Sequence, residues 1–484
     1  MRLPFLLLLP LVLGLTVGGC ALNPPPTGEE IRSQSLAHVA VPPGWTAQGG
    51  TPGVVADAWV STFRDAQLDA LVREALAYNL DLGVAAARVE QAAAYARLSG
   101  STLYPAVNLL AHGGGKGGGD GSGVSGVWLL ASWELDVWGR VRAEREAGRQ
   151  QFEAAVADAE YARQSISAMV AKAWVLAVEA RLQGAIAGEI VRASEQAVGL
   201  ARDRLRVGRG DEYDVTLAQA NLESARDTAR QIALAQEQAL RALEALVGRY
   251  PAATVEVATA LPAWPGNVPV GLPSELLERR PDVIAAERRV ATAFNRVEEA
   301  KAARLPKISL TANLSSVSSD LFVLQNHSNP VWSLGGNLMA PIFNGYALQT
   351  QVEIRTAEQK LAVAEYGRVG AKAFGEVEAA LSAGFAADER EAILARAAAS
   401  NARTLELAQV RYKVGSGDLR AVLQQGVALY GARTALLRVQ SERLVQRVNL
   451  HLALGGGFDA ASPLATIAGR VSPAATTGAA AVPR

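Results

Sequence analysis

Arg411-Tyr412-Lys413-Val414-Gly415-Ser416-Gly417-Asp418 decides the fold, because the chain carries it twice. The earlier copy, Arg204-Leu205-Arg206-Val207-Gly208-Arg209-Gly210-Asp211, lies 207 positions upstream. Each copy sits inside a long proline-free tract, one between Pro105 and Pro251 and the other between Pro341 and Pro463. Proline costs roughly 3 kcal/mol inside a helix, so such tracts permit very long helices. A mid-tract glycine pair supplies residues that tolerate positive φ, which a tight helix reversal needs. The reading is two long helical hairpins, each folded back at one of these turns.

Outward from the first turn, the tract from Arg140 towards Val207 would be about 100 Å long as continuous helix at 1.5 Å per residue. Gly148, Gly184, Gly188 and Gly199 are the places where it would bend or break. The return tract carries a heptad thread, with Leu222, Ala229, Gln236 and Leu243 on one line and Ala225, Ile232, Ala239 and Leu246 on the other. That spacing suits coiled-coil contact, and equally the core of a soluble bundle. The second tract turns at Gly415-Ser416-Gly417 and returns through Leu429, Leu436, Leu437 and Leu444 to Gly455.

Ahead of each tract the hydrophobic period shortens. Trp59, Phe63, Leu68, Leu71, Leu76 and Leu82 are spaced for an amphipathic helix reaching Ser99. Val107–Ala111 is a short strand candidate, followed by a glycine-rich loop from Gly113 to Gly126. Ala131, Trp133, Leu135 and Val137 then alternate with Ser132, Glu134 and Asp136, the period of a strand. The second half repeats this order: Asp81, Arg88, Val89 and Pro105 reappear 201 positions later as Asp282, Arg289, Val290 and Pro306. Lys307–Leu314 alternates through eight residues, and Trp332, Leu334, Leu338 and Ile342 are apolar at even steps. The expected division is a signal at 1–19, an extended tether at 20–58, one repeat at 59–250, a linker at 251–272, a second repeat at 273–457 and a disordered tail at 458–484.

Composition narrows the class. Basic and acidic residues number 47 each, so no global charge favours nucleic acid. Arg2, the apolar run from Leu3 to Val17 and Val17-Gly18-Gly19-Cys20 have the layout of a bacterial secretory signal. Cys20 is the single cysteine, which excludes a disulfide framework. The run ending in Cys20 looks like a lipobox, implying cleavage before Cys20 and acylation of its thiol; the other reading is an ordinary signal with an incidental cysteine. No later tract has the ~18 consecutive apolar residues of a membrane helix. His38, His112, His327 and His451 are scattered, the loop around Lys116 lacks the pattern of a phosphate loop, and no nucleophile elbow occurs. No catalytic or metal site is expected, and no cofactor.

Each half thus contributes two strands of roughly ten residues and one helical hairpin. Tilted strands of nine to eleven residues are long enough to cross the apolar layer of a bilayer. Four strands do not close a barrel, and open edges are not tolerated in lipid, so they must pair with strands of other copies. Two copies give eight strands and three give twelve; arithmetic does not choose. A small soluble sheet packed on helices is the alternative. Trp128, Trp133, Trp138 and Trp332 around the strands favour the membrane.

The residues resemble the outer-membrane efflux protein family typified by TolC and OprM, in its NodT-type lipoprotein branch, from about Trp59 to Gly457. The most specific stretch is Gly271-Leu272-Pro273-Ser274-Glu275-Leu276-Leu277-Glu278-Arg279-Arg280-Pro281-Asp282-Val283. Trp59, Phe63-Arg64-Asp65, Asn79-Leu80-Asp81-Leu82 and Ala87-Arg88-Val89 resemble the family's first helix. The resemblance implies a mainly α fold with a membrane β-barrel: a homotrimer whose twelve strands form a shared barrel in the outer membrane and whose hairpins form an α-barrel across the periplasm. It implies lipid attachment at Cys20, an inner-membrane pump of the RND type and a periplasmic adaptor as partners, and an exit duct for small molecules. The duct of a protein-secretion system, and a coiled-coil lipoprotein without a pore, are the alternatives. By the same resemblance Gly208, Gly210, Gly415 and Gly417 form the periplasmic tip. Asp211, Asp214 and Asp418 are then expected to line or latch it, with Arg411 and Arg420 as ion-pair partners; the other reading is that they are solvated cap residues at helix ends. The second copy departs from the family pattern at Arg420 and at Gln424-Gln425-Gly426.

Overall fold

The computed structural model describes residues 24–48, 50–51, 53–55, 57–112, 125–318 and 330–457. The signal segment, Cys20, the glycine-rich loop up to Val124 and the tail beyond 457 lie outside the described residues. The elements run in order α1 (Gly28–Ser35), a 3-10 turn (Trp59–Phe63), α2 (Ala66–Tyr78), α3 (Leu80–Ser101), β1 (Ala106–His112), β2 (Ser125–Leu135), α4 (Arg140–Arg206) and α5 (Glu212–Val247). The second half adds α6 (Pro273–Arg279), α7 (Pro281–Ala302), β3 (Lys307–Ser318), β4 (Pro330–Met339), α8 (Ala347–Lys413) and α9 (Leu419–Ala453). α4 and α8 are each 67 residues, about 100 Å, and neither is interrupted. The glycines do not break α4 because each costs only about 1 kcal/mol in a helix that packs along most of its length. Gly148 has a positive reason to be there: a Cβ would come within 2.8 Å of Ser99 Oγ on α3.

Three local departures from the sequence reading have plain causes. The helix expected from Trp59 to Ser99 is broken at Asn79, whose Oδ1 accepts from the N–H groups of Asp81 and Leu82 at 2.9 and 3.2 Å. Its Nδ2 donates to Leu246 O at 2.8 Å, tying the break to the end of α5. Residues 24–58 do not run as a free extended tether. Thr27 and Glu30 form a capping box that starts α1, and Ile31 and Leu36 are buried against the second repeat. Glu378 then accepts from Thr46 N and Ala47 N at 2.8 and 2.7 Å, Trp45 Nε1 donates to Val270 O, and Thr51 bridges to Pro269. Finally, Val137 and Ile342 fall just past β2 and β4.

The second repeat is locked within itself at its base. Arg280, 1% exposed, donates to Asp282 at 2.8 and 3.0 Å and to Ala453 O at 3.0 Å, and pairs with Glu376 at 2.7 Å. Burial works against the guanidinium, but the two carboxylates outweigh it and hold its pKa above the ordinary value. Gly455, at φ 70°, leaves room for it; a Cβ there would meet Arg280 Cγ at 3.2 Å. The linker is pinned by Glu244, which accepts from Ala253, Thr254 and Val255 N–H groups at 2.6 to 3.0 Å.

Between the repeats, the core holds a histidine. His451 is 3% exposed, stacks on Trp59 at 5.3 Å between ring centroids, and neither ring nitrogen finds a partner. Burial, then the nearby Arg447, push its pKa from 6.5 down to about 3. An unfolded histidine takes its proton near pH 6.5 and this one only near pH 3. The folded state is therefore fully favoured at neutral pH and loses stability as pH falls through that window. His451→Phe is expected to keep the stack and to move the acid-unfolding midpoint to lower pH, with little change at pH 8. The gain at pH 4 is on the order of a few kcal/mol. Helical circular dichroism followed across pH 8 to 3 in detergent checks it.

Candidate functional site: the membrane sheet and the hairpin tips

The four strands form one antiparallel sheet in the order β1-β2-β3-β4, so β1 and β4 each present an unpaired edge. The register sorts the side chains by face. Val107 and Leu109 align with Ala131 and Leu129, these with Ala312 and Leu314, and these with Leu334 and Trp332. Trp133, Leu310, Ile308 and Leu338 extend the same face, which carries no charged residue. The opposite face carries every charged side chain of the strands and most of the polar ones, Asn108, Ser132, Glu134, Lys307, Ser309, Thr311, Asn313 and Asn337, interspersed with Leu110, Leu130, Val331 and Met339. A sheet apolar on one face and polar on the other, with strands of 10 to 12 residues in β2 to β4, matches the wall of an aqueous pore in lipid. Trp133 and Trp332 stand on the apolar face, as interfacial aromatics should, but Trp128 pairs with Leu110 and Ser315 on the other. Among the described residues no helix is long and apolar enough to cross a membrane, and no cluster is fit to hold a metal.

At the far end of the hairpins the two glycines of each pair have different jobs. Gly208 and Gly415 take φ of 71° and 82°, and each closes its helix with paired N–H donors. Gly208 N reaches Leu205 O and Arg209 N reaches Arg204 O; Gly415 N reaches Tyr412 O and Ser416 N reaches Arg411 O. Gly210 and Gly417 have ordinary φ and are needed for space, since a Cβ would come within 3.1 Å of Arg204 Cβ and Arg411 Cβ respectively.

Asp211 and Asp418 are the N-caps of α5 and α9, accepting from Asp214 N at 2.8 Å and Ala421 N at 2.7 Å. The two arginines expected to pair with them do not. Arg420 donates to the Tyr213 hydroxyl at 2.6 Å and lies 5.5 Å from that ring's centroid, and among the described residues Arg411 has no carboxylate within ion-pair distance. The residue that sequence reasoning missed is Arg204. It lies 4.2 Å from the centroid of the buried Tyr412 ring and donates to Tyr412 O at 3.3 Å. Arg204 of the first hairpin thus braces the second, and Arg420 of the second braces the first. The sequence carries no signal for it, because Arg204 and Tyr412 stand at different positions of the duplicated motif and 208 residues apart. Asp214 sits between these braces. Burial, then repulsion from Asp211 and Asp418, hold its carboxyl above the ordinary value, with Arg204 and Arg420 opposing.

Comparison with known proteins places this geometry. The outer membrane efflux protein family model matches residues 71–249 and 272–456. The pyoverdine export outer membrane protein OpmQ of Pseudomonas putida is 31% identical over 486 residues, covering 96% of this chain and 100% of that protein. The cation efflux system protein CusC of Escherichia coli is 30% identical over 466 residues, covering 93% of this chain and 98% of that protein. The solved outer-membrane channel OprN superposes with a TM-score of 0.80 at 27% identity, covering 87% of this chain and 98% of that one. The chain belongs to the outer membrane efflux protein family. It is an outer-membrane efflux channel with a β-barrel portion and a long periplasmic helical portion.

The tip in this arrangement binds the Asp214 proton more tightly than an exposed aspartate does, so acidification favours this arrangement of the two turns and higher pH loosens it. Single-channel conductance in planar bilayers is therefore expected to fall as pH drops towards the carboxylate range, and Asp214→Asn to flatten that dependence. Arg420→Ala removes a charge-assisted hydrogen bond and a cation–π contact. At about 1 kcal/mol it should weaken the association of the two turns roughly fivefold.

Proposed function

We propose that three copies of this chain close a twelve-stranded barrel in the outer membrane and continue it as a helical tunnel across the periplasm. The duct passes small molecules outward from an inner-membrane pump of the RND type, through a periplasmic adaptor that docks at the hairpin tips, as the third part of a tripartite system. The observation that carries this reading is the four-stranded sheet, apolar on one face and polar on the other, with both edges open. Such a sheet is incomplete alone, and lipid admits only closed barrels. In this reading Cys20 carries acyl chains that hold the N-terminal segment in the inner leaflet. Asp211, Asp214 and Asp418, drawn together by the two turns, ring the narrow end and favour cations there. The cargo is set by the pump: among relatives of nearly equal identity, one is named for pyoverdine export and another for cation efflux.

The mature protein extracted in mild detergent is expected to have the mass of three chains after the detergent contribution is subtracted, and to conduct ions in planar bilayers. A monomer without conductance would overturn the duct and leave a coiled-coil lipoprotein. Growth with labelled palmitate should mark the wild-type chain and leave Cys20→Ala unlabelled.

A further inference from the structure

The duplication leaves one helix without the neighbour that its twin has. α3 and α7 correspond at an offset of 201 residues, and α4 and α8 at 207. α7 packs along both α8 of its own repeat and α4 of the other, whereas α3 packs along α4 and along no second long helix. Burial follows this difference. Ala285, Thr292 and Asn295 of α7 are 0%, 2% and 4% exposed, while their counterparts Val84, Gln91 and Ala94 on α3 are exposed. The long helices show the complement. Ala147 and Ala154, on the stripe of α4 that continues to Asp158, are 5% and 0% exposed, and their counterparts Ile354 and Leu361 on α8 are 47% and 70% exposed.

Charges repeat with the same offsets. Across the contact that α7 makes with α4, Arg289 pairs with Asp158. The corresponding positions hold Arg88 on α3 and Glu365 on α8, again opposite in sign. In the same contact Asp282 lies close enough to Tyr161 to add to the effect of burial in holding that phenol up. The counterparts there are Asp81 and Arg368, also opposite in sign. Among the described residues Arg88 has no carboxylate partner within ion-pair distance in its own chain, and Glu365 forms its one ion pair with Arg368, one turn further along its own helix, while Arg289 of α7 acts on it from beyond ion-pair distance.

We propose that α3 of one copy lies between its own α4 and α8 of the next copy, in the register that α7 takes between α4 and α8 within one chain. Arg88 then pairs with Glu365 of the partner subunit, and Asp81 with Arg368 of the partner subunit. Val84 and Leu361, exposed in the single chain, are covered by the same contact. The occupant of this face is a second copy of the chain, because the charge pattern is complementary to the chain's own and the register is already realised once inside it. The inference rests on the trimeric reading above and adds to it a surface, a register and two ion pairs.

The test uses the full-length protein in outer membranes. Cys20 is the single native cysteine and is acylated in the reading above, so Arg88→Cys with Glu365→Cys introduces the reactive thiols. A short bismaleimide is expected to yield dimer and trimer bands on a denaturing gel from the double variant, and only monomer from either single variant. In parallel, Arg88→Glu and Glu365→Arg each place like charges opposite one another three times around the ring. Each reversal should raise trimer dissociation in detergent about tenfold, with the double reversal restoring it. Cross-linking together with rescue supports the register. Trimers of native mass that neither cross-link nor show rescue overturn it and leave the duct standing, whereas a monomeric wild type overturns both.

Discussion

Hydrocarbon offers no hydrogen-bonding partner, so each unmet N–H or C=O on a strand edge in lipid costs several kcal/mol. β1 and β4 are two such edges, separated by only two strands, and among the described residues no strand pairs with them on their outer sides. Closure therefore has to come from other copies, and the rest of the architecture answers to that demand. The long helices hang from the strand ends, α4 leaving β2 and α8 leaving β4, so whatever closes the strands into a ring also gathers the hairpins. A face of α3 that is bare in one chain is then a seam, for the same reason that the strand edges are.

The duplication explains why the two halves share local chemistry but not surroundings. α4 and α8 have the same length, and both hairpin turns close with the same hydrogen bonds and use the same division of labour between their glycines. They diverge where the neighbours differ. At the start of the short helix in the first repeat stands Asn79, which caps α3 and reaches α5; its counterpart is Arg280, which gathers Asp282, Glu376 and Ala453. At the entry to the long helices Gly139 takes φ 78°, while its counterpart Tyr346 takes φ 65° despite its side chain. A tyrosine in the left-handed region is uncommon, and its ring, 73% exposed, meets Phe343 edge-on at the membrane end of α8.

Much of this was legible because periodicity and punctuation are local. The glycine turns, the absence of proline and the alternating strands fix the hairpins and the sheet before any packing is known. The readings that departed from the structure are those in which a local signal competed with composition or with a partner far along the chain. Residues 24–58 are rich in proline and glycine, which hides the capping box of Thr27 and Glu30 and the two backbone donors that seek Glu378. At Asp211 and Asp418 the sequence allowed both a helix cap and a place in the gate, and the structure shows the cap. Arg204 was invisible because its partner, Tyr412, is 208 residues away, and only the fold brings the two turns together.

The tip is held by interactions of a particular strength. Each brace is an arginine on a tyrosine, Arg204 on the buried Tyr412 and Arg420 on the exposed Tyr213, and such contacts contribute about 0.5–2 kcal/mol. Opposing them is the crowding of Asp214 with Asp211 and Asp418, which raises the energy of the closed arrangement whenever all three are ionised. Two braces per chain, repeated three times in the proposed assembly, sum to a few kcal/mol before that repulsion is subtracted. If the tip works as the proposed gate, an equilibrium of this size would leave the open form a small minority and let a partner with a modest preference for it reverse the balance. A buried network such as that around Arg280 would not serve at the tip, because breaking one costs several kcal/mol and strands a charge. The chain places its buried ion-pair network at the base of the second repeat and its lighter, reciprocal arginine–tyrosine contacts at the hairpin tips.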